Sequence, residues 1–132
     1  MNTEKIDHLG IAVESLEESV PFYENALGLK KKGVEEVEEQ GVKVAFFEIG
    51  ESKFELLEPI SDDSPIARHI EKRGSGIHHI ALKVNDIEAK VKDMEDKGVQ
   101  FIGDSPSKGA GGKKIIFVHP RSTGGVLLEL CE

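Results

Sequence analysis

The feature that most constrains this chain is that it repeats itself. Ile6-Asp7-His8-Leu9-Gly10-Ile11-Ala12-Val13 reads against Ile77-His78-His79-Ile80-Ala81-Leu82-Lys83-Val84, an offset of 71 residues (His8 to His79). Leu16, Glu17 and Val20 fall on Ile87, Glu88 and Val91, and Phe46 falls on Phe117, in the same register. Towards the end of each copy, Glu55-Leu56 falls on Glu129-Leu130 at an offset of 74, so loop lengths differ slightly between copies. A register shared over four separate segments points to duplication, and a duplicated chain is built from two copies of one supersecondary unit. At 132 residues there is room for two such units within one domain.

Each copy reads as strand, helix, then strands. Residues 6–13 form the first strand, and Ser15 caps a helix expected over Leu16–Leu27, stopped by Gly28. In the second copy Asp86 caps a helix carrying Ile87, Val91 and Met94 and ended by Gly98. Val42–Ile49 and Lys53–Leu57 are expected as a hairpin turned at Gly50-Glu51. Their counterparts are Lys114–His119 and Val126–Cys131, joined by the longer loop Pro120–Gly125. The expectation is an α+β fold: two repeated βαβββ modules forming a curved sheet around a shared cavity. Module 1 covers about 5–58, a linker with a short helix over Pro65–Lys72 covers 59–75, and module 2 covers 76–131, all in one domain 1–132.

Composition removes several function classes. There are 17 Lys plus Arg against 25 Asp plus Glu, a net charge of −8, the reverse of a nucleic-acid footprint. The same charge disfavours anionic membranes, and no apolar run approaches the ~20 residues of a membrane span. The N-terminus lacks the apolar stretch of a signal peptide, and the single Cys131 fits a reducing compartment, so a cytoplasmic location is expected.

Parity within the strands locates a candidate site. Side chains alternate between the faces of a strand, so if Leu9, Ile11 and Val13 pack on helices, His8 lies opposite. The same argument places His79, Glu55 and Glu129 on the face turned from the helices. Two imidazoles and two carboxylates make a reasonable donor set for a divalent metal. Antiparallel sheets also commonly wet one face, and strand histidines are usually structural, so parity alone admits a solvated face as readily.

The order His8, Glu55, His79, Glu129 on paired βαβββ modules resembles the vicinal oxygen chelate superfamily. Within it the chain is similar to the methylmalonyl-CoA epimerase family, nearly end to end. The similarity is carried by Asp7 to Val13, Gly76 to Ala81, Glu55-Leu56-Leu57-Glu58-Pro59 with Asp63 to Ala67, Gly111 to Pro120, and Gly124-Gly125-Val126-Leu127-Leu128-Glu129-Leu130. The resemblance implies interconversion of (2R)- and (2S)-methylmalonyl-CoA with one divalent metal per chain. Cobalt or manganese is implied first, with zinc, nickel or magnesium as alternatives, and a homodimer is expected. His8, His79 and Glu129 match the family's ligands, while Glu55 stands where relatives often have glutamine.

Epimerisation removes a proton alpha to a thioester and returns it on either face, so it needs a Lewis acid and two proton-transferring groups. Some relatives carry a catalytic glutamate just after Gln-Gly-Val, where Gln40-Gly41-Val42-Lys43-Val44 here offers none. Hairpin parity offers Glu48 instead, with Glu129 or His119 serving the other face. Lys113, Lys114 and Arg121 are candidate donors to the developing enolate charge, and Lys114, His119 and Arg121 are candidate substrate-binding residues. A cross-strand pair with Lys53 is the structural alternative for Glu48. His69 is expected to be solvent-exposed, His78 to lie out of phase with His79, and Cys131 to be a small buried hydrophobe. No glycine-rich phosphate loop leads into a helix, so a CoA nucleotide would lie across an exposed surface, with Gly109–Gly112 as the close-approach segment. Glyoxalase-type isomerisation, ring cleavage, and a non-enzymatic small-molecule binder are the alternatives on the same scaffold.

Overall fold

The computed structural model describes residues 2–132 and is α+β, with eight strands and four α-helices among them. The chain divides into two compact units, residues 8–78 and residues 2–7 with 79–132. The boundary therefore falls next to each of the two repeated histidines.

Residues 8–78 hold the second half of β1 (Thr3–Ala12), with α1 (Leu16–Pro21), β2 (Lys31–Val37), β3 (Val42–Ile49), β4 (Ser52–Pro59) and α2 (Pro65–Arg73). Their strand order is β2-β3-β4-β1, antiparallel except for the parallel pair β1/β4. The expected hairpin is present: Ile49 faces Ser52 across Gly50-Glu51, and Gly50 takes φ 56, a conformation glycine adopts without strain. The linker helix is α2, capped by Ser64, whose hydroxyl accepts from the Ala67 N–H at 3.1 Å.

The second unit repeats the plan with β5 (Gly76–Val84), α3 (Ile87–Asp96), β6 (Phe101–Lys108), β7 (Lys114–Val118), α4 (Pro120–Thr123) and β8 (Leu128–Cys131). Its strand order is β5-β8-β7-β6, with β5/β8 parallel. The start of β1 joins this unit: Asn2 N–H donates to Asn85 Oδ1 at 2.7 Å, and Glu4 pairs with Lys83 at 4.0 Å.

The duplication extends to the cores. Val13, Leu16, Ala45, Phe47 and Leu56 pack together in the first unit. Their repeat mates Val84, Ile87, Ile116, Val118 and Leu130 do so in the second. These are the positions that parity assigns to the helix side, and their removal from water is the main stabilising term in each unit. The helix starts repeat as well. Glu58 Oε1 accepts from the Leu16 N–H at 2.8 Å, and Glu132 Oε1 accepts from the Ile87 N–H at 3.0 Å. Each helix is thus satisfied at its start by a carboxylate from the end of a strand.

Two expectations change. The helix expected over Leu16–Leu27 is α-helical only to Pro21, after which Phe22–Ala26 form a π-turn closed by the Leu27 N–H on the Phe22 carbonyl at 2.8 Å. Pro21 has no N–H to give the preceding turn, so the α register lapses there and a wider turn follows. Residues 120–125 are not a plain loop, because His119 Nδ1 accepts from the Arg121 N–H at 3.0 Å and caps the short helix α4.

Candidate functional site

Strand pairing puts the same constellation in both units. Gly10 is the register partner of Glu55 on β1/β4, and Ala81 is the partner of Glu129 on β5/β8. His8 and His79 each stand two residues before those partners, on the same strand face. In the first unit His8 Nδ1 lies 3.2 Å from Glu55 Oε2, with side chains only 5% and 6% exposed. In the second, His79 Nε2 lies 3.7 Å from Glu129 Oε2, each side chain 5% exposed. Charged groups are rarely this buried without a partner, since removing them from water costs several kcal/mol. Each strand pair therefore supplies one buried imidazole and one buried carboxylate in direct apposition, a donor combination suited to a divalent transition metal.

The walls around each pair are apolar. Phe46 faces Glu55 and Phe117 faces Glu129 across the hairpin strands, so the hairpin parity expected from sequence holds. The Phe117 ring stands edge-on to His79 with centroids 5.4 Å apart and an interplanar angle of 89°. Ala81, Ile115 and Cys131 pack with Phe117 into a small buried cluster beside Glu129. Cys131 is fully buried, as expected for a small hydrophobe.

The other candidates fall in different settings. Val44, where some relatives carry glutamate, is fully buried on the face of β3 that also carries Phe46 and Glu48. Glu48 is 55% exposed, stands opposite Lys53 in the register and pairs with Lys32 at 3.8 Å. Lys114 turns to the helix side and pairs with Glu88 of α3 at 2.9 Å, because strand alternation separates it from Ile115 and Phe117. Its ammonium is held above the usual lysine range by the hydrogen bond to Glu88. Arg121 is exposed and reaches Gln100 Oε1 at 3.5 Å, and His119 is occupied in capping α4. The structure does not bring Lys114 to the histidine–glutamate face.

His69 is not the solvent-exposed residue expected of a linker. It is half-buried against His78, with ring centroids 4.8 Å apart and planes at 87°. Burial, and secondarily the His69 charge, holds His78 down to about 4.

Asp7 is the residue that sequence reasoning passed over. It is 1% exposed, and Lys113 Nζ donates to both of its oxygens at 3.0 and 3.1 Å. A signal was present: Asp7 and His78 are repeat mates, each preceding a repeated histidine, and they are where the two copies differ in chemistry.

Comparison with known proteins places the chain in a family. The profile of the Glyoxalase/Bleomycin resistance protein/Dioxygenase superfamily matches residues 7–117. Bacillus subtilis YqjC, an uncharacterized protein, is 50% identical over 97% of this chain and 91% of its own length. The human mitochondrial methylmalonyl-CoA epimerase is 41% identical over 98% of this chain and 74% of its own. The structure of Streptomyces coelicolor methylmalonyl-CoA epimerase in complex with 2-nitronate-propionyl-CoA superposes with a TM-score of 0.94 at 40% identity, covering 98% of this chain and 94% of that one. With its repeated histidine–glutamate strands and this near full-length similarity, the chain belongs to the methylmalonyl-CoA epimerase family of the glyoxalase superfamily.

Proposed function

We propose that this protein interconverts (2R)- and (2S)-methylmalonyl-CoA by exchange of the alpha proton, using one divalent metal held by His8, Glu55, His79 and Glu129. The observation that carries the reading is the pair of buried histidine–glutamate couples at repeat-equivalent positions, one in each unit. The donor set fits the group: two imidazole nitrogens and two carboxylates suit cobalt(II) or manganese(II), and two negative charges balance a dication. The epimerase relatives supply the substrate.

A bound metal supplies Lewis-acid stabilisation of the negative charge that develops on the thioester oxygen. The remaining work belongs to side chains. Glu48 takes the alpha proton on one side of the reacting carbon, and Glu129 or His119 returns a proton on the other. Glu48 is suited by lying on the same strand face as Phe46, the register partner of Glu55. Phe117, Ile115 and Ala81 form an apolar wall beside Glu129. His119 and Arg121 serve the substrate's polar end. No helix among the described residues is long and apolar enough to cross a membrane. We assign the protein to the cytosol as a homodimer, an assignment supported by the single buried cysteine and by the apolar Ile6 and Ile77 side chains, 52% and 64% exposed.

Proton NMR of methylmalonyl-CoA in heavy water tests the reading with purified, chelated and cobalt-restored protein. Metal-dependent loss of the alpha-proton signal is the expected result. Metal binding without exchange would overturn the proposed reaction, and sedimentation velocity checks the dimer.

A further inference from the structure

Asp7 is the buried carboxylate to which the proposed reaction gives no task. At 1% exposure it accepts two hydrogen bonds from Lys113 Nζ, across 106 positions of sequence. Charge-assisted bonds of this kind are the strong ones, and a buried ion that loses its partner is strongly destabilised. Asp7 is joined directly to His8. Lys113, for its part, closes a glycine turn: the Gly109 N–H donates to the Lys113 carbonyl at 2.8 Å, and the Gly112 N–H donates to the Gly109 carbonyl at 3.2 Å. Gly111 and Gly112 take φ values of 72 and 74, which a side chain would strain. A Cβ at Gly109 would meet Ile115 at 2.8 Å, so the turn is seated directly on Ile115, a member of the apolar cluster beside Glu129.

We propose that Lys113 is a positioning residue: through Asp7 it fixes the backbone that presents His8, and it couples that backbone to the glycine turn at residues 109–112. The inference rests on the reading of His8 as a metal ligand. Groups that orient ligands from outside the coordination shell typically change metal affinity or activity by about 10- to 100-fold when removed. Lys113 acts on the strand rather than on the metal or the substrate.

The test is a cobalt(II) titration of the metal-free full chain, followed by visible absorption, for the wild type, K113Q, K113R and D7N. Thermal unfolding is measured alongside to count folded protein. K113Q is expected to weaken cobalt binding by about 10- to 100-fold per folded molecule and to lower kcat for alpha-proton exchange more than it changes KM. K113R should recover most of the affinity, because a guanidinium also donates to both oxygens of a carboxylate. The double variant D7N/K113Q should be no worse than K113Q alone. Unchanged or tighter cobalt binding in K113Q, or losses in the double variant that simply add, would overturn the proposal. If K113Q does not fold, the comparison of D7N with K113R decides: equal cobalt affinity in the two would overturn it. Wild-type protein that binds cobalt but exchanges no alpha proton would refute the epimerase reading and leave the positioning test standing. Wild-type protein that binds no cobalt would overturn both.

Discussion

Replacing Glu58 by alanine removes a carboxylate oxygen 2.8 Å from the Leu16 N–H at the start of α1. Leu16 is 7% exposed and belongs to the core cluster of its unit, so little solvent is at hand to replace the lost acceptor. A hydrogen bond to a charged group contributes roughly 1.5–3 kcal/mol, and the favourable field of a carboxylate at a helix start adds about 0.3–1 kcal/mol. Glu58→Ala should therefore cost about 2–4 kcal/mol, the two contributions together. Glu58→Gln keeps an acceptor and loses only the charge, so it should cost nearer ~0.5–1 kcal/mol. Glu132→Ala, the repeat mate, should behave alike at the Ile87 N–H, where the distance is 3.0 Å. The two carboxylates share no partner, so a double replacement should cost the sum to within about 0.5 kcal/mol. Urea unfolding followed by far-UV circular dichroism measures all four variants, with m unchanged if only the native state is affected. Metal stoichiometry is the control, since neither residue belongs to the proposed ligand set. If Glu58→Gln costs as much as Glu58→Ala, the charge carries the effect and the hydrogen-bond argument fails. If both are within ~0.5 kcal/mol of the wild type, the cap is idle.

The carboxylates of the proposed ligand set should behave in the opposite way. Glu55→Gln removes a charge buried to 4% exposure, so the metal-free protein should be at least as stable as the wild type while cobalt affinity falls. A clear drop in the metal-free unfolding temperature would contradict that. Glu48→Gln should slow alpha-proton exchange in heavy water and leave metal content intact; undiminished exchange would exclude Glu48 from proton transfer. His78 gives a pH dependence of definite sign. Its folded value is held down to about 4 by burial and then by His69, against 6.5 for a free, solvated imidazole, so the unfolded chain binds the proton more readily. That contribution is complete above the unfolded value and is lost as pH falls from 6.5 towards 4. His78→Gln should flatten the stability profile between pH 6.5 and 5, and an unchanged slope would refute the assignment.

Much of the architecture was legible because the repeat is a local pattern written twice. Strand alternation put Leu9, Ile11, Val13 and Leu56 on the helix side and His8 and Glu55 on the other, and the observed register keeps that division. The edge strands β2 and β6 were not placed, since Lys31–Val37 and Phe101–Lys108 are largely exposed and carry little apolar alternation to read. The break in the first helix was written in Pro21, but an amphipathic pattern continuing to Leu27 masked it. A place in the linker helix suggests an exposed His69, and only the fold brings it against His78.

The sequence by itself determined the duplicated βαβββ plan, the helix caps at Ser15 and Asp86, and the shared strand face of one histidine and one glutamate in each copy. Those follow from period-two alternation and short-range hydrogen bonding, which depend on neighbours in the chain. Tertiary structure alone decided that Asp7 is buried, that Lys113 reaches it, and that Lys114 goes to Glu88. A long, flexible ammonium pairs with whichever carboxylate the folded backbone brings within about 3 Å, and no pattern of adjacent residues specifies a partner 106 positions away.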